Sequence, residues 1–143
     1  MLINQLLNAK GHQVFTVSPD DTVAAVSALL HTRKVGAFVV SDSLGRVVGI
    51  VSERDIIGAL ARVGARSLDM RTEEIMTKDV IVARLGQTVD SLLELMTDRR
   101  IRHLPVMEGQ KLTGIISIGD LVKSKIAQAE HEAQTLKAYI AAG

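Results

Sequence analysis

The chain of 143 residues contains no cysteine, no tryptophan and only three aromatic side chains, which are Phe15, Phe38 and Tyr139. Without cysteine it has no disulfides, no zinc thiolates and no thiol nucleophile, and this composition suits a reducing compartment. The scarcity of aromatic rings argues against single-stranded nucleic-acid binding, which uses such rings as stacking platforms. The core is therefore expected to be aliphatic.

An excess of charge of one sign is also missing. Lysine and arginine number 17 against 16 aspartate and glutamate residues, so the formal net charge is +1. This balance gives no reason to expect nucleic acid or an anionic membrane as a partner. The first residues carry no basic segment and no long apolar run. We therefore expect no signal peptide, no transmembrane span and a cytoplasmic location.

The chain instead contains one pattern twice. Thr-Val at 22–23 returns at 88–89, an offset of 66, and Gly-apolar-apolar-Ser-x-x-Asp at 49–55 returns at 114–120, an offset of 65. The residue missing from the second copy falls in a turn. Such a repeat implies a pseudo-twofold pair, in which a site in one copy is echoed in the other. A copy of roughly 50 to 60 residues is marginal alone, so we expect the copies to share one core.

Hydrophobic spacing predicts the order β-α-β-β-α in each copy. The predicted strands lie at residues 14–17, 38–40 and 47–51 in the first copy and at 80–82, 104–106 and 112–116 in the second. The predicted helices follow the N-cap candidates Thr22, Ser52, Thr88 and Ser117.

Three further segments lie around the copies. A short apolar helix is expected over residues 2–9, a linker over 64–71, and a long alanine-rich helix over 121–141 whose thin apolar face is expected to pack on a partner subunit. The predicted fold class is α/β (α+β), with two repeats and a C-terminal helical extension. The predicted division is 1–66 for the first repeat, 67–127 for the linker and second repeat, and 128–143 for the C-terminal helix.

The Gly-apolar-apolar-Ser-x-x-Asp pattern has two interpretations at a strand-to-helix junction. In the first, Ser52 and Ser117 cap a helix, and Asp55 and Asp120 bond back to the cap amide. In the second, the free amides and the serine hydroxyl bind a phosphate, while the aspartate accepts both hydroxyls of a ribose. The pattern alone leaves both interpretations open.

Taken together, the repeated segments resemble the cystathionine β-synthase (CBS) domain, a regulatory module found in tandem pairs. The resemblance covers about residues 10–127 and rests on segments of both copies. These segments are 22–23, 35–40 and 49–55 in the first copy and 75–77, 88–89, 101–106 and 114–120 in the second. One departure is Val39, where the second copy has Pro105.

The resemblance implies two clefts between the repeats that bind adenine nucleotides, and in some members S-adenosylmethionine or a nicotinamide dinucleotide. In the first cleft Asp120 is expected to hold the ribose and Ser117 a phosphate. The other residues expected there are Gly119, Arg102 and His103 near the phosphate and Phe15, Val35 and Gly36 at the adenine end. Without the resemblance, the pattern favours a surface or core role for His103 over a ligand contact, and a core role for Phe15 over a platform for a base.

In the second cleft Asp55 and Ser52 are expected to take the corresponding roles. Its remaining predicted residues are Arg54 near the phosphate, Thr77, Ile81 and Ile101 around the base, and Gly36 and Ala37 opposite. Because Gly36 and Ala37 stand where the other repeat has Arg102 and His103, the clefts are expected to differ. We expect AMP, ADP or ATP to occupy the Asp120 cleft first, with NAD as the alternative.

These observations predict a homodimeric, non-enzymatic sensor that passes its ligand state to an effector protein. No catalytic constellation, metal-ligand spacing or catalytic cofactor motif is evident in the sequence. Three alternatives remain: a dimerisation scaffold with empty clefts, an enzyme, and a nucleic-acid binder acting through the basic run at residues 99–102.

Overall fold

The computed structural model of the protein describes residues 1–142, and its centre consists of two three-stranded sheets. The predicted β-α-β-β-α order is confirmed in both copies. In chain order the elements are α1 (Ile3–Lys10), β1 (Thr16–Val17), α2 (Val23–Arg33), β2 (Ala37–Ser41), β3 (Val47–Ser52), α3 (Glu53–Val63), a 3-10 helix (Gly64–Asp69), α4 (Thr72–Ile75), β4 (Ala83–Arg84), α5 (Val89–Arg99), β5 (His103–Glu108), β6 (Lys111–Ser117) and α6 (Ile118–Ala142).

The two sheets have the same topology. In each, the first strand pairs in parallel with the second, and the second pairs antiparallel with the third, giving the orders β1-β2-β3 and β4-β5-β6. The register shifts at equivalent points, between Val40 and Ser41 and between Val106 and Met107. The repeat seen in the sequence is therefore also a repeat of backbone geometry.

The strand predicted at residues 80–82 is wrong, because β4 comprises only Ala83 and Arg84. In the first sheet Thr16 pairs with Val39. The equivalent pairing in the second sheet would join Val82 to Pro105, which has no backbone N–H to donate to a ladder. The second copy therefore lacks this pairing.

The prediction of one shared core is also wrong, because the buried residues form two clusters. The cluster of the second repeat includes Ile3, Leu6 and Leu7 from α1. The cluster of the first repeat includes Ile75 from α4. Each sheet thus completes its core with the helix that precedes the other repeat in the chain. This exchange compensates for the small size of a single copy and ties the repeats together.

Helix α6 is much longer than its counterpart α3 and leaves the body of the protein. Leu121 is buried, but from residue 125 to 142 every side chain is exposed. Its apolar residues Ile126, Leu136, Tyr139 and Ile140 are 55 to 78% exposed. The long C-terminal helix is confirmed. Among the described residues, no helix combines the length and the apolar character needed to cross a membrane.

Candidate functional site

The two strand-to-helix junctions form the same capping box. Asp55 Oδ2 accepts a hydrogen bond from the Ser52 amide at 2.9 Å, and the Asp55 amide donates to Ser52 Oγ at 3.4 Å. At the second junction the equivalent distances for Ser117 and Asp120 are 2.9 and 3.1 Å. The capping interpretation is therefore confirmed for both pairs. It fixes the direction in which each carboxylate points.

The first backbone amide of each helix is also already bonded. The amide of Glu53 donates to Gly36 O at 3.0 Å, and that of Ile118 donates to Arg102 O at 2.8 Å. These bonds attach the start of β2 to α3 and the start of β5 to α6. They bring the segments ahead of β2 and β5 to the helix N-termini, where a ligand of this site would bind.

The glycine of the repeated pattern makes room for a crossing element. A Cβ added at Gly49 would lie 2.5 Å from Met76 Sδ and 3.0 Å from Thr77 O. At Gly114 it would lie 2.7 Å from Leu7 Cδ2. Real Cβ contacts are rarely this short, so a side chain at either position would force the segment after α4, or Leu7 of α1, to shift. In the first repeat this packing carries Thr77 to the junction.

Asp55 lines an open cavity of about 200 Å³ between the two repeats. The first repeat contributes the start of β2, the end of β3 and the start of α3, and the second contributes the loop between α5 and β5. The residues that line it are Gly36, Ile50, Ser52, Glu53, Arg54, Asp55, Thr77, Arg100, Ile101, Arg102 and His103.

Positive charge prevails in this cavity. Arg54, Arg100 and Arg102 contribute three guanidinium groups against the carboxylates of Glu53 and Asp55. The Arg54 side chain crosses between the repeats, where its Nη1 donates to Arg100 O at 3.1 Å. Arg100 ends α5 in the left-handed conformation, with a φ of 54°. An anion is the ligand that such a set of donors favours.

His103 lies against the opposite repeat. A Cβ at Gly36 would be 3.1 Å from both Cε1 and Nε2 of its ring. Burial lowers the pKa of His103 below its usual value of 6.5, although the charge of Glu53 acts in the opposite direction. The ring is therefore neutral at pH 7. It can donate to or accept from a ligand, depending on its tautomer.

Thr77 connects the linker between the repeats to the cavity. Its backbone forms a two-bond bridge with Ile50, with distances of 2.9 and 3.0 Å. Its hydroxyl donates to Asp55 Oδ1 at 3.3 Å. The carboxylate therefore has a neutral hydroxyl as its neighbour on the side away from the capping box.

Asp120 has different surroundings. Lys10 at the end of α1 forms an ion pair with Asp120 Oδ2 and donates to Ile115 O at 2.7 Å. Burial alone would raise the pKa of Asp120, but hydrogen bonds from Lys10 and Ser117 and the lysine charge together lower it. Asp120 lines a groove of about 580 Å³ between α1 and α6, which is mostly apolar.

The structure groups the predicted site residues differently from the expectation. Arg102 and His103 were expected around Asp120, but they line the Asp55 cavity, together with Gly36, which was expected in both clefts. His103 is also close enough to Asp120 for that carboxylate to raise its pKa slightly. The reason is that the loop ahead of β5 extends from the second repeat over the helix start of the first. The predicted second-cleft residues Ser52, Arg54, Thr77 and Ile101 do meet there.

Six other predicted residues lie outside both cavities, and one of them is Ser117, which caps α6. Phe15 and Val35 are 43% and 40% exposed. The guanidinium of Arg33 lies 3.5 Å from the centroid of the Phe15 ring. Ile81 packs against the core of the second repeat. Ala37 is buried at the start of β2, and Gly119 occupies the first turn of α6 beside Ser117.

Four residues at the two junctions were not among the site residues predicted from the sequence. Ile50 and Glu53 lie within the repeated pattern itself, and Arg100 belongs to the basic run, so these three had a signal in the sequence. Lys10 had none, since its contact with Asp120 spans 110 positions of the chain.

Comparison with known proteins decides the family. The family model for the CBS domain matches residues 11–62 and 73–126. The chain belongs to the CBS-domain family. Both matched segments contain one β-α-β-β-α repeat, so the chain carries a CBS pair.

Three similar proteins illustrate the range of this family. A CBS-domain protein from Agrobacterium tumefaciens has a solved structure with a TM-score of 0.85 and 45% identity, covering 87% of this chain and 92% of its own. The mitochondrial CBS-domain protein CBSX3 of Arabidopsis thaliana is 32% identical over 99% of this chain and 72% of its own. The CBS pair of protein MJ0100, solved with 5′-methylthioadenosine and S-adenosyl-L-methionine, is 24% identical with a TM-score of 0.79, covering 90% of this chain and 98% of its own, and shares the fold.

Proposed function

We propose that this chain is a regulatory CBS pair that binds an adenosine-containing nucleotide in the Asp55 cavity and passes its ligand state to a partner protein. The observation that carries the proposal is the composition of this cavity. The capped carboxylate of Asp55, the carboxylate of Glu53 and three arginines, drawn from both repeats, line the same space. A nucleotide needs both kinds of group, because its ribose presents hydroxyl donors and its phosphates present anionic acceptors.

The ribose is assigned to Asp55. The capping bond from Ser52 holds Oδ2 in place, and Oδ1 accepts a hydrogen bond from the Thr77 hydroxyl at 3.3 Å. The Ser52 hydroxyl also donates to Oδ2, at 3.1 Å, so the carboxylate already accepts three of the roughly four hydrogen bonds it can take. When the Ser52 hydroxyl rotates toward a ligand oxygen, each carboxylate oxygen keeps one free acceptor position. The two hydroxyls of a ribose can therefore bond to Asp55 without breaking the cap.

The base and the phosphates are assigned to different groups of lining residues. Ile50 and Ile101 provide apolar surface for a base, and Arg54 and Arg102 provide charge for phosphates. The cavity of about 200 Å³ is smaller than the roughly 300 to 1,000 Å³ usual for small-molecule pockets. We infer that the cavity encloses only part of a nucleotide and that the phosphates remain at its open side. AMP, ADP and ATP satisfy this arrangement best.

Two other ligands share the adenosine group. NAD and S-adenosylmethionine would use the same carboxylate, but S-adenosylmethionine carries a positive sulfonium where this cavity is rich in arginine. The charge of the cavity therefore favours a phosphate-bearing ligand. MJ0100, which shares the fold, was solved with two adenosine compounds and supports the ligand class. We place the module in the cytoplasm and assign it no turnover of its own.

A thermal-shift series tests the proposal. Adenosine, AMP, ADP, ATP, NAD and S-adenosylmethionine are each added to the purified chain. A ligand at about 100 times its dissociation constant stabilises the fold by roughly 2.7 kcal/mol. Stabilisation by the nucleotides supports the proposal, and an unchanged melting temperature with all six compounds rejects it.

A second candidate function rests on a separate observation. Helix α6 exposes a set of apolar side chains that a partner surface would bury. They belong to Ile126, Leu136, Tyr139 and Ile140. We propose that a second copy provides this cover and that the chain is a homodimer. If the nucleotides do not bind, dimerisation alone remains as the function. Light scattering at tens of micromolar that gives the mass of a monomer would refute the dimer.

A further inference from the structure

The two aspartate junctions differ in one contact. At the first, Thr77 donates its amide to Ile50 O at 2.9 Å and its hydroxyl to Asp55 Oδ1 at 3.3 Å. At the second, the ammonium group of Lys10 donates to Ile115 O at 2.7 Å and to Asp120 Oδ2, the oxygen that also accepts the Ser117 amide. A single lysine side chain thus replaces the backbone and hydroxyl of a threonine.

The replacement changes the electrostatics of the carboxylate. A threonine hydroxyl leaves the full negative charge of Asp55 available to a ligand. Lys10 instead supplies a positive charge in direct contact with Asp120, and the side chains of the pair are only 35% and 27% exposed. Partial burial reduces solvent screening, so this pair is stronger than a fully exposed one.

The fold places Lys10 at this position without a ligand. Helix α1 is anchored on the second repeat by Ile3 and Leu7, which are fully buried. The Ile3 amide donates to Gln87 O at 2.9 Å at the start of the helix, and the Gly11 amide donates to Leu7 O at 2.7 Å at its end. The last turn is thereby fixed, and Lys10 needs little additional ordering to reach Asp120. The entropic cost of the contact is correspondingly small.

We propose that Lys10 is a built-in occupant of the Asp120 junction, which fills the second acceptor position of Oδ2, neutralises the carboxylate and so keeps a ribose from bonding to both of its oxygens. The two junctions of the pair are therefore not equivalent. The Asp55 cavity is open to a nucleotide, and the Asp120 junction becomes available only when Lys10 leaves. This inference builds on the proposed function, because it uses the same ligand class.

Calorimetric titration with AMP tests the inference on the full chain. The wild type is compared with Lys10→Met, which removes the charge, and with Lys10→Gln as a second, polar variant. Lys125→Met is the matched control, since it breaks another lysine-carboxylate contact, with Asp90 at 2.8 Å, away from the junction. Thermal melts establish that each variant is folded.

We expect one AMP per chain for the wild type and for Lys125→Met. Both Lys10 variants should bind two, and Asp120→Asn added to Lys10→Met should remove the second. A stoichiometry of two in the wild type would overturn the inference, as would one in both Lys10 variants or weaker binding in them. If the wild type binds none but Lys10→Met binds one, the inference stands and the assignment of the Asp55 cavity fails. No binding by any variant would overturn both.

Discussion

Substitution of Gly49 tests the link between packing and ligand binding. In Gly49→Ala the new methyl group would lie 2.5 Å from Met76 Sδ and 3.0 Å from the carbonyl oxygen of Thr77. The methionine can rotate, but the Thr77 carbonyl accepts a hydrogen bond from the Ile50 amide and cannot move without breaking it. Inserting a methyl group into packed structure costs about 1 to 3 kcal/mol. For a chain of this length the melting temperature should fall by roughly 3 to 10 °C.

Two other glycines provide matched controls. Gly114→Ala should destabilise to a similar degree, because the methyl group meets the buried Leu7 at 2.7 Å. It should leave AMP binding intact, whereas Gly49→Ala should weaken binding by displacing Thr77 from the cavity. At Gly86 an added Cβ meets nothing within 4 Å and φ is not positive, so Gly86→Ala should be neutral or slightly stabilising. Equal effects of Gly49→Ala and Gly86→Ala on the melting temperature would refute the packing argument.

Three further predictions concern charge. Arg102→Ala should weaken ATP binding more than adenosine binding, because the lost contact is to phosphate. Equal losses of affinity for ATP and adenosine in calorimetry would show that Arg102 has a structural role instead. Burial lowers the pKa of His103 from 6.5, so the unfolded chain takes up this proton first as the pH falls. Stability should therefore decline as the pH falls from about 7 toward the lowered pKa, and His103→Gln should flatten that slope in urea melts. The pKa of Asp120 lies below 3.8, so its contribution should be complete above about pH 4 and be lost as the pH falls through the lowered pKa. Lys10→Met should weaken this acid dependence, and an unchanged acid profile would contradict the ion pair.

The features predicted from the sequence are mostly local. Thr22 and Thr88 cap α2 and α5, with hydrogen bonds of 3.1 Å from the third helical amide, and the sequence carries the signal for each cap within four residues. The repeat also predicted that the two sheets share one topology, because similar sequences adopt similar folds. The prediction of a strand at 80–82 failed at Val82 because its partner position is Pro105, and this pairing depends on the register between strands.

The composition of the site was less accessible. Ser52, Asp55 and Arg54 are neighbours in the chain, so their meeting follows from one strand-to-helix turn. Whether Arg102 faces Asp55 or Asp120 depends on how the two repeats pack, which no local pattern specifies. Lys10 reaches Asp120 only because α1 docks on the second repeat.

Calorimetry of AMP with Asp55→Asn and Asp120→Asn tests the central claim most directly. Asparagine keeps an oxygen that can accept the capping bond, so both variants should remain folded. Loss of a hydrogen bond to a charged group costs about 1.5 to 3 kcal/mol, which corresponds to a roughly 10- to 100-fold weaker affinity. The account predicts this loss for Asp55→Asn and little change for Asp120→Asn. The opposite result, with AMP binding lost in Asp120→Asn and retained in Asp55→Asn, would contradict it.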